Sequence, residues 1–259
     1  MCLLVFAWRA HPRYALVVAA NRDEFHERPA GALAPWPPPQ SLLAGRDLRA
    51  GGTWLALGRT RRFGVVTNFR DLQPPQRGAP SRGELIPHYL AQGDDPARFF
   101  AALGPLAARY AGFNLLLADG DSLWYGCNRA QPFARPLPAG VYGLSNGFLD
   151  TPWPKLERAR AAFRAWLGGP AANPEGLFEL LADRTRVADD ALLPRTGVAR
   201  DWERVLSSPF VLDADYGTRS STVLLLQADG HALIKERRFD PAGRASGETE
   251  FALNPGEWP

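Results

Sequence analysis

Residues 2–25 read CLLVFAWRAHPRYALVVAANRDEF, and this stretch decides the fold. Two runs, CLLVFAWR and YALVVAAN, are rich in aliphatic, aromatic and β-branched side chains, and the short AHPR between them carries turn chemistry. The pattern predicts a hairpin. Neither run alternates apolar with polar residues, so both faces of each strand are expected to be covered. The second strand closes on NRDE, which sets Asn21 and Asp23 on one face and Arg22 and Glu24 on the other. Charges at the end of so apolar a strand need partners, because isolated buried charge is expensive.

If the two strands are neighbours, their open ends bring Cys2 beside Asn21–Asp23. Cys2 follows directly on Met1, and a small second residue favours removal of the methionine. Cys2 would then carry both a thiol and a free α-amine. Such an amine titrates near about 7.7–8.0 and can take the thiol proton directly or through a water, while an aspartate at position 23 could hold it by a hydrogen bond. The other reading of Cys2 is a small buried cysteine opening a strand, a common fate of free cysteine.

Further hairpins follow the same logic. TWLALG and FGVVTNF pair across RTRR, FNLLLAD and SLWYGCN meet at Asp119-Gly120, and TVLLLQA and HALIKERRF meet at Asp229-Gly230. Asp-Gly between apolar runs is a strong hairpin signal, since glycine tolerates the positive φ of the tight turn. Helical spacing appears at Glu84–Ala91, Asp95–Ala102, Pro154–Leu167 and Pro174–Ala182. In the third, Trp153, Leu156, Ala159, Phe163 and Trp166 form the apolar stripe, with Lys155, Glu157, Arg158 and Arg164 mostly on the other face. The proline-rich RPAGALAPWPPPQ reads as a long ordered loop. Clustered helices and hairpin-joined strands predict an α+β protein with antiparallel sheets, and the absence of a linker predicts a single domain over 1–259.

Composition narrows the function. With 46% hydrophobic and 22% charged residues over 259 positions, the chain reads as an ordinary globular protein. The formal charge is +3, and no block of five Lys or Arg occurs, so nucleic acid is not an expected partner. Two cysteines, Cys2 and Cys127, build no disulfide framework and lie in no CxxC pattern. His11, His26, His88 and His231 are scattered, so neither a metal nor any other cofactor is expected. No signal-peptide pattern and no transmembrane run of about 18 apolar residues is present, which points to the cytoplasm. Gly51-Gly52 reads as a turn, and Trp36 and Trp54 beside the proline-rich loop are candidates for an apolar substrate mouth. Composition sets no oligomeric state.

The motifs MCLL, AANRDEF, GVVTNFRD, SRGELI, YGLSNGFLDTPWPKLERAR and TRSSTVLLL, in that order over almost the whole chain, resemble the NRDE family. It is also called the transport and Golgi organisation protein two family. That family is similar to N-terminal nucleophile (Ntn) hydrolases of the choloylglycine hydrolase and penicillin V acylase type, which implies a four-layer αββα sandwich. The resemblance implies that Cys2 is the nucleophile and its own α-amine the base, with Asp23 orienting that amine. It implies oxyanion donors at Asn68 and Asn146, each worth roughly 3–4 kcal/mol, and an arginine, Arg219, that favours the thiolate. The hydrolases carry an arginine immediately before their Asn-x-Asp, where this chain has Ala20. Asn21, Arg22 and Glu24 are therefore left for substrate binding or a structural ion pair. Two functions follow from the resemblance: a cysteine amidohydrolase or acyl-transfer enzyme cutting a linear amide C–N bond of a small molecule, or a non-catalytic protein that binds and moves haem, lipid or acyl-CoA.

Overall fold

The computed structural model describes residues 2–71, 73, 78–169 and 173–259. Two compact units divide the chain, Met1–Glu27 with Ala139–Ala252 and Arg28–Pro138 with Leu253–Pro259.

The first unit opens with β1 (Cys2–Trp8) and β2 (Tyr14–Phe25). They pair antiparallel from Cys2↔Arg22 to Trp8↔Leu16, the hairpin read from residues 2–25.

The chain then builds the second unit. Its strands are β3 (Ala30–Pro35), β4 (Leu42–Asp47), β5 (Leu55–Gly58), β6 (Phe63–Asn68), β7 (Phe113–Ala118), β8 (Leu123–Cys127) and β9 (Ala134–Pro136). They lie in sequence order in a seven-stranded antiparallel sheet. Helices α1 (Leu85–Gln92) and α2 (Pro96–Leu103) come between β6 and β7. Leu85, Ile86 and Tyr89 of α1 and Phe99, Phe100 and Leu103 of α2 pack with Ala56, Val66, Leu115 and Leu117 of the sheet. The Asp-Gly turn joins β7 to β8, with Gly120 at φ +99° and the Asp119 carboxylate accepting from the Ser122 N–H at 2.8 Å.

One expectation fails here. RPAGALAPWPPPQ is not wholly irregular, because Ala30–Pro35 forms β3 at the edge of the sheet. An edge position leaves one side of the strand without ladder bonds, so proline's missing N–H costs nothing there. A register irregularity between Gly31 and Ala34 takes up the misfit. Gly51-Gly52 is a turn, but the two glycines serve different needs. Gly51 takes φ +78°, whereas a Cβ on Gly52 would overlap the Gly83 backbone, which accepts a hydrogen bond from the Thr53 N–H at 3.0 Å.

Asp47 ties β4 to the start of this unit. Its carboxylate accepts from Arg28 at 2.7 and 2.8 Å and from the Arg49 and Ala50 N–H groups at 3.0 Å. Burial pushes the Asp47 carboxyl up, but these hydrogen bonds outweigh it and hold the group below its ordinary value. A depressed carboxylate contributes stability above the unfolded value of 3.8 and loses it as the pH falls through the folded value. Asp47→Asn is therefore expected to cost about 1–3 kcal/mol at pH 7 and to match the parent in strong acid. Urea unfolding across pH tests this, and a gap that persists below pH ~2 would rule it out.

The chain returns to the first unit with β10 (Gly140–Leu144), α3 (Pro154–Leu167), α4 (Pro174–Leu181), α5 (Arg200–Val205), β11 (Tyr216–Gln227), β12 (Ala232–Phe239) and β13 (Ala245–Leu253). The sheet is six-stranded, in the order β10-β1-β2-β11-β12-β13. The doubly apolar strands β1 and β2 are thus interior. Leu3, Val5, Ala19 and Val223 meet Leu156, Ala159 and Phe163 of α3 and Leu177 and Leu181 of α4, each large side chain contributing roughly 1.5–3 kcal/mol. On the opposite face Leu4, Phe6, Leu16, Val18 and Leu224 are buried as well.

Each unit is therefore an antiparallel sheet carrying helices, the α+β class expected. Among the described residues no helix is long and apolar enough to cross a membrane.

Candidate active site around Cys2

Strand pairing assembles the site. Directly opposed residues of an antiparallel pair share a face, so Cys2 lies on the face of its partner Arg22, while Asn21 and Asp23 turn to the helical side.

Asn21 is wholly engaged. Its Nδ2 donates to Leu181 O and Pro209 O, both at 2.9 Å, and its Oδ1 accepts from Ser221 Oγ at 2.6 Å. The side chain fastens β2 to β11, to the end of α4 and to the segment between α5 and β11. Asp23 is 1% exposed. Its Oδ1 accepts from Thr218 Oγ1 at 2.7 Å, and its backbone O accepts from Tyr216 OH at 2.8 Å. Burial pushes the Asp23 carboxyl above its usual range, opposed by the positive amino terminus, by Lys155, by the Thr218 hydroxyl and by Arg22.

Cys2 is held through its backbone by the segment after β10. Its N–H donates to Asn146 Oδ1 at 3.4 Å, and its carbonyl accepts from Ser145 Oγ at 3.0 Å. Asn146 is 0% exposed and Ser145 is buried with it. Burial pushes the Cys2 thiol up; the amino terminus pulls it down, the Asp23 carboxylate raises it, and Arg22 and the Asp23 backbone N–H lower it again. The net shift is upward, whereas a depressed thiol is what an activated nucleophile would show. A family model described as Transport and Golgi organisation 2 matches residues 1–241.

The chain belongs to that family. The Bos taurus Transport and Golgi organization protein 2 homolog is 35% identical over 278 residues, covering 98% of this chain and 99% of the relative. The Homo sapiens homolog is 33% identical over 279 residues with the same coverage, 98% and 99%. The Drosophila melanogaster Transport and Golgi organization protein 2 is 27% identical over 290 residues, 100% of this chain and 95% of that one. Among solved structures, a Caenorhabditis elegans N-acylethanolamine-hydrolyzing acid amidase (NAAA) ortholog matches 86% of this chain and 92% of its own, with a TM-score of 0.45 and 11% identity.

In this Transport and Golgi organisation 2 chain the remaining residues singled out from sequence fall into two groups. Arg219 sits on β11 within the first unit, and its NH1 donates to Phe25 O at 3.2 Å and His26 O at 2.8 Å. Burial lowers the Arg219 guanidinium, as does Arg22, while Glu24 raises it. Arg22 and Glu24 stand 3.9 Å apart, the ion pair their shared face allows. Arg22 is the strand partner of Cys2, and its charge lowers the thiol. Asn68 closes β6 in the second unit, opposite Phe113.

Sequence reasoning missed Lys155. Assigned to the polar side of α3, it is 3% exposed and its charge bears on Asp23. The signal was available: Lys155, Ala159 and Phe163 share one stripe at four-residue spacing, and Lys155 is one of only two lysines in the chain. Thr218 was also missed, because a threonine entering a strand carries no mark of function until its partner strand is known.

The second unit has a cavity of its own, of 340 Å³, whose walls include Trp36, Pro39, Gln40, Gly52, Glu84 and His88. Trp36 lines it, and Trp54 packs against Gly45. Among the described residues no three His, Cys, Asp or Glu side chains gather as a metal site.

Proposed function

We propose that the chain, once Met1 is removed, is an N-terminal-cysteine amidohydrolase or acyl-transfer enzyme acting on a linear amide C–N bond. The observation that supports it is the convergence at the start of β1: the charge of the buried Asp23 bears on the Cys2 thiol, and Asn146 holds the Cys2 backbone N–H that becomes the α-amine once Met1 is removed. The reading treats 1–259 as one functional Ntn hydrolase-like domain.

In the first half-reaction the α-amine of Cys2 takes the Sγ proton and the sulfur attacks the carbonyl carbon. The π pair moves to oxygen, where Asn146 Nδ2 is the assigned donor by family resemblance. Collapse breaks the C–N bond, and the ammonium returns its proton to the leaving amine. A thioester on Cys2 remains. Water, or an acceptor amine in the transfer case, then adds to it and releases the acyl group with the thiol restored. Asp23 holds the protonated amine, and Lys155 helps to keep Asp23 ionised. A thiol in this role suits the reducing cytoplasm.

Intact-mass measurement of the purified protein, followed by an acylating probe and peptide mapping, tests the proposal. Met1 should be absent and the acyl group should map to Cys2. Complete retention of Met1 would sink it.

A second reading draws on the upward shift of the Cys2 thiol and on Ala20 in place of the hydrolases' arginine. It is a non-catalytic protein that binds haem, lipid or acyl-CoA. Undiminished ligand binding by Cys2→Ala, with no acyl-enzyme in the parent, would select it.

A further inference from the structure

Two buried donors at one point of β11 have no acceptor among the described residues: Arg219 Nε and Ser220 Oγ. Ser220 is 4% exposed. An unmet buried donor costs about 1–3 kcal/mol, so two on consecutive residues call for a reason.

The register supplies one. Thr218 pairs with Asp23 and Ser220 pairs with Arg22, so Arg219 is an extra residue and the strand bulges at that point. A bulge sets two residues against one and re-aims a side chain, and such irregularities concentrate beside active sites. Ser220 stands in one cross-strand row with Arg22 and Cys2, by the pairings Cys2↔Arg22 and Ser220↔Arg22. The same row continues to Arg238 on β12. Three guanidiniums, those of Arg22, Arg219 and Arg238, thus gather at this end of the sheet, with two carboxylates beside them: Glu24, 3.9 Å from Arg22, and the buried Glu236, two residues from Arg238 on β12. The Arg219 head is fixed by its bonds to Phe25 O and His26 O, so it is set in place before any ligand arrives. Three cations against two carboxylates leave a net positive charge, which favours an anion, and charge-assisted hydrogen bonds are the strongest available to one.

We infer that the Arg219-Ser220 bulge is a subsite for an anionic group, a carboxylate or a phosphate, on the ligand whose reacting end lies at Cys2. The inference rests on the reading of the Cys2 region as a ligand site, and it deepens that reading by naming the charge the ligand carries. Ser220 Oγ and Arg219 Nε donate to the anion, and Arg22 and Arg238 supply field.

Titration calorimetry on the full chain with hexanoate, hexyl phosphate and hexanol tests it. At least one of the two anions should bind about tenfold more tightly than hexanol, the order of one charge-assisted hydrogen bond, and the better anion identifies the group. Ser220→Ala and Arg219→Gln should each remove most of that preference and leave hexanol binding unchanged. Ser220→Ala deletes an unmet hydroxyl, so its melting temperature should stay level or rise while anion affinity falls, which a purely structural serine would not show. Equal affinity for all three probes, no binding of either anion, or an intact preference in Ser220→Ala would overturn the inference. Anion preference without an acyl-enzyme keeps the subsite and removes the amidohydrolase; an acyl-enzyme without anion preference does the reverse.

Discussion

Cys2→Ala is expected to lower amide hydrolysis by about 10⁴-fold or more, because it removes the only atom in the proposed mechanism that bonds to the acyl group. Alanine is also a small second residue, so Met1 is still expected to be removed and the rest of the site is kept. Release of amine from a fluorogenic N-acyl substrate measures the effect; retention of more than a tenth of the parent rate would show that the chemistry lies elsewhere. The pH profile adds a sharper test. In the chain with Met1 attached, burial pushes the Cys2 thiol above its ordinary 9.0, so thiolate is scarce at neutral pH and alkylation by iodoacetamide should keep rising beyond pH 9. Removing Met1 puts the amine on Cys2 itself, where it can take the thiol proton, and the profile should move to lower pH. Identical profiles for the two forms would exclude the amine as base.

Lys155→Met is expected to destabilise the protein by about 3–5 kcal/mol at pH 7, because it removes a buried cation whose charge offsets the buried Asp23 carboxylate. For a chain of this size that corresponds to a fall in melting temperature of roughly 10 °C. Methionine fills similar volume, so loss of packing contributes little. The pH dependence identifies the cause. Asp23 is raised in the folded protein, so its contribution is most favourable below the unfolded value of 3.8 and declines as the pH rises through the folded value. Without Lys155 the Asp23 carboxyl is raised further, and the deficit of the variant should open between acid and neutral pH. In Lys155→Met/Asp23→Asn most of the deficit should vanish, since neither charge then remains to be compensated. Thermal unfolding of the four proteins decides; a deficit independent of pH and additive in the double variant would mean that the two side chains do not interact.

Much of the site was legible because strand alternation is a local rule. NRDE at the end of an apolar strand places Asn21 and Asp23 on one face and Arg22 and Glu24 on the other, and the structure keeps that division. The same rule could not tell which face the thiol shares. That depends on the register of β1 against β2, and the pairing of Cys2 with Arg22 puts the thiol with the arginine. Lys155 was misplaced for a related reason. Charge assigned it to the polar side of α3, but the buried Asp23 favours a cation beside it, and only the docking of α3 on the sheet brings the two within range.

By itself the sequence determined the hairpins β1–β2, β7–β8 and β11–β12, the helices α3 and α4, and the antiparallel α+β class, because turn glycines and periods of 2 and 3.6 residues act between near neighbours. Tertiary structure decided that Ala30–Pro35 pairs as an edge strand, that β11 bulges at Arg219 and that the Cys2 thiol is raised rather than lowered. Each of these turns on desolvation, or on a partner strand far away in sequence, and neither is encoded in the few residues on either side.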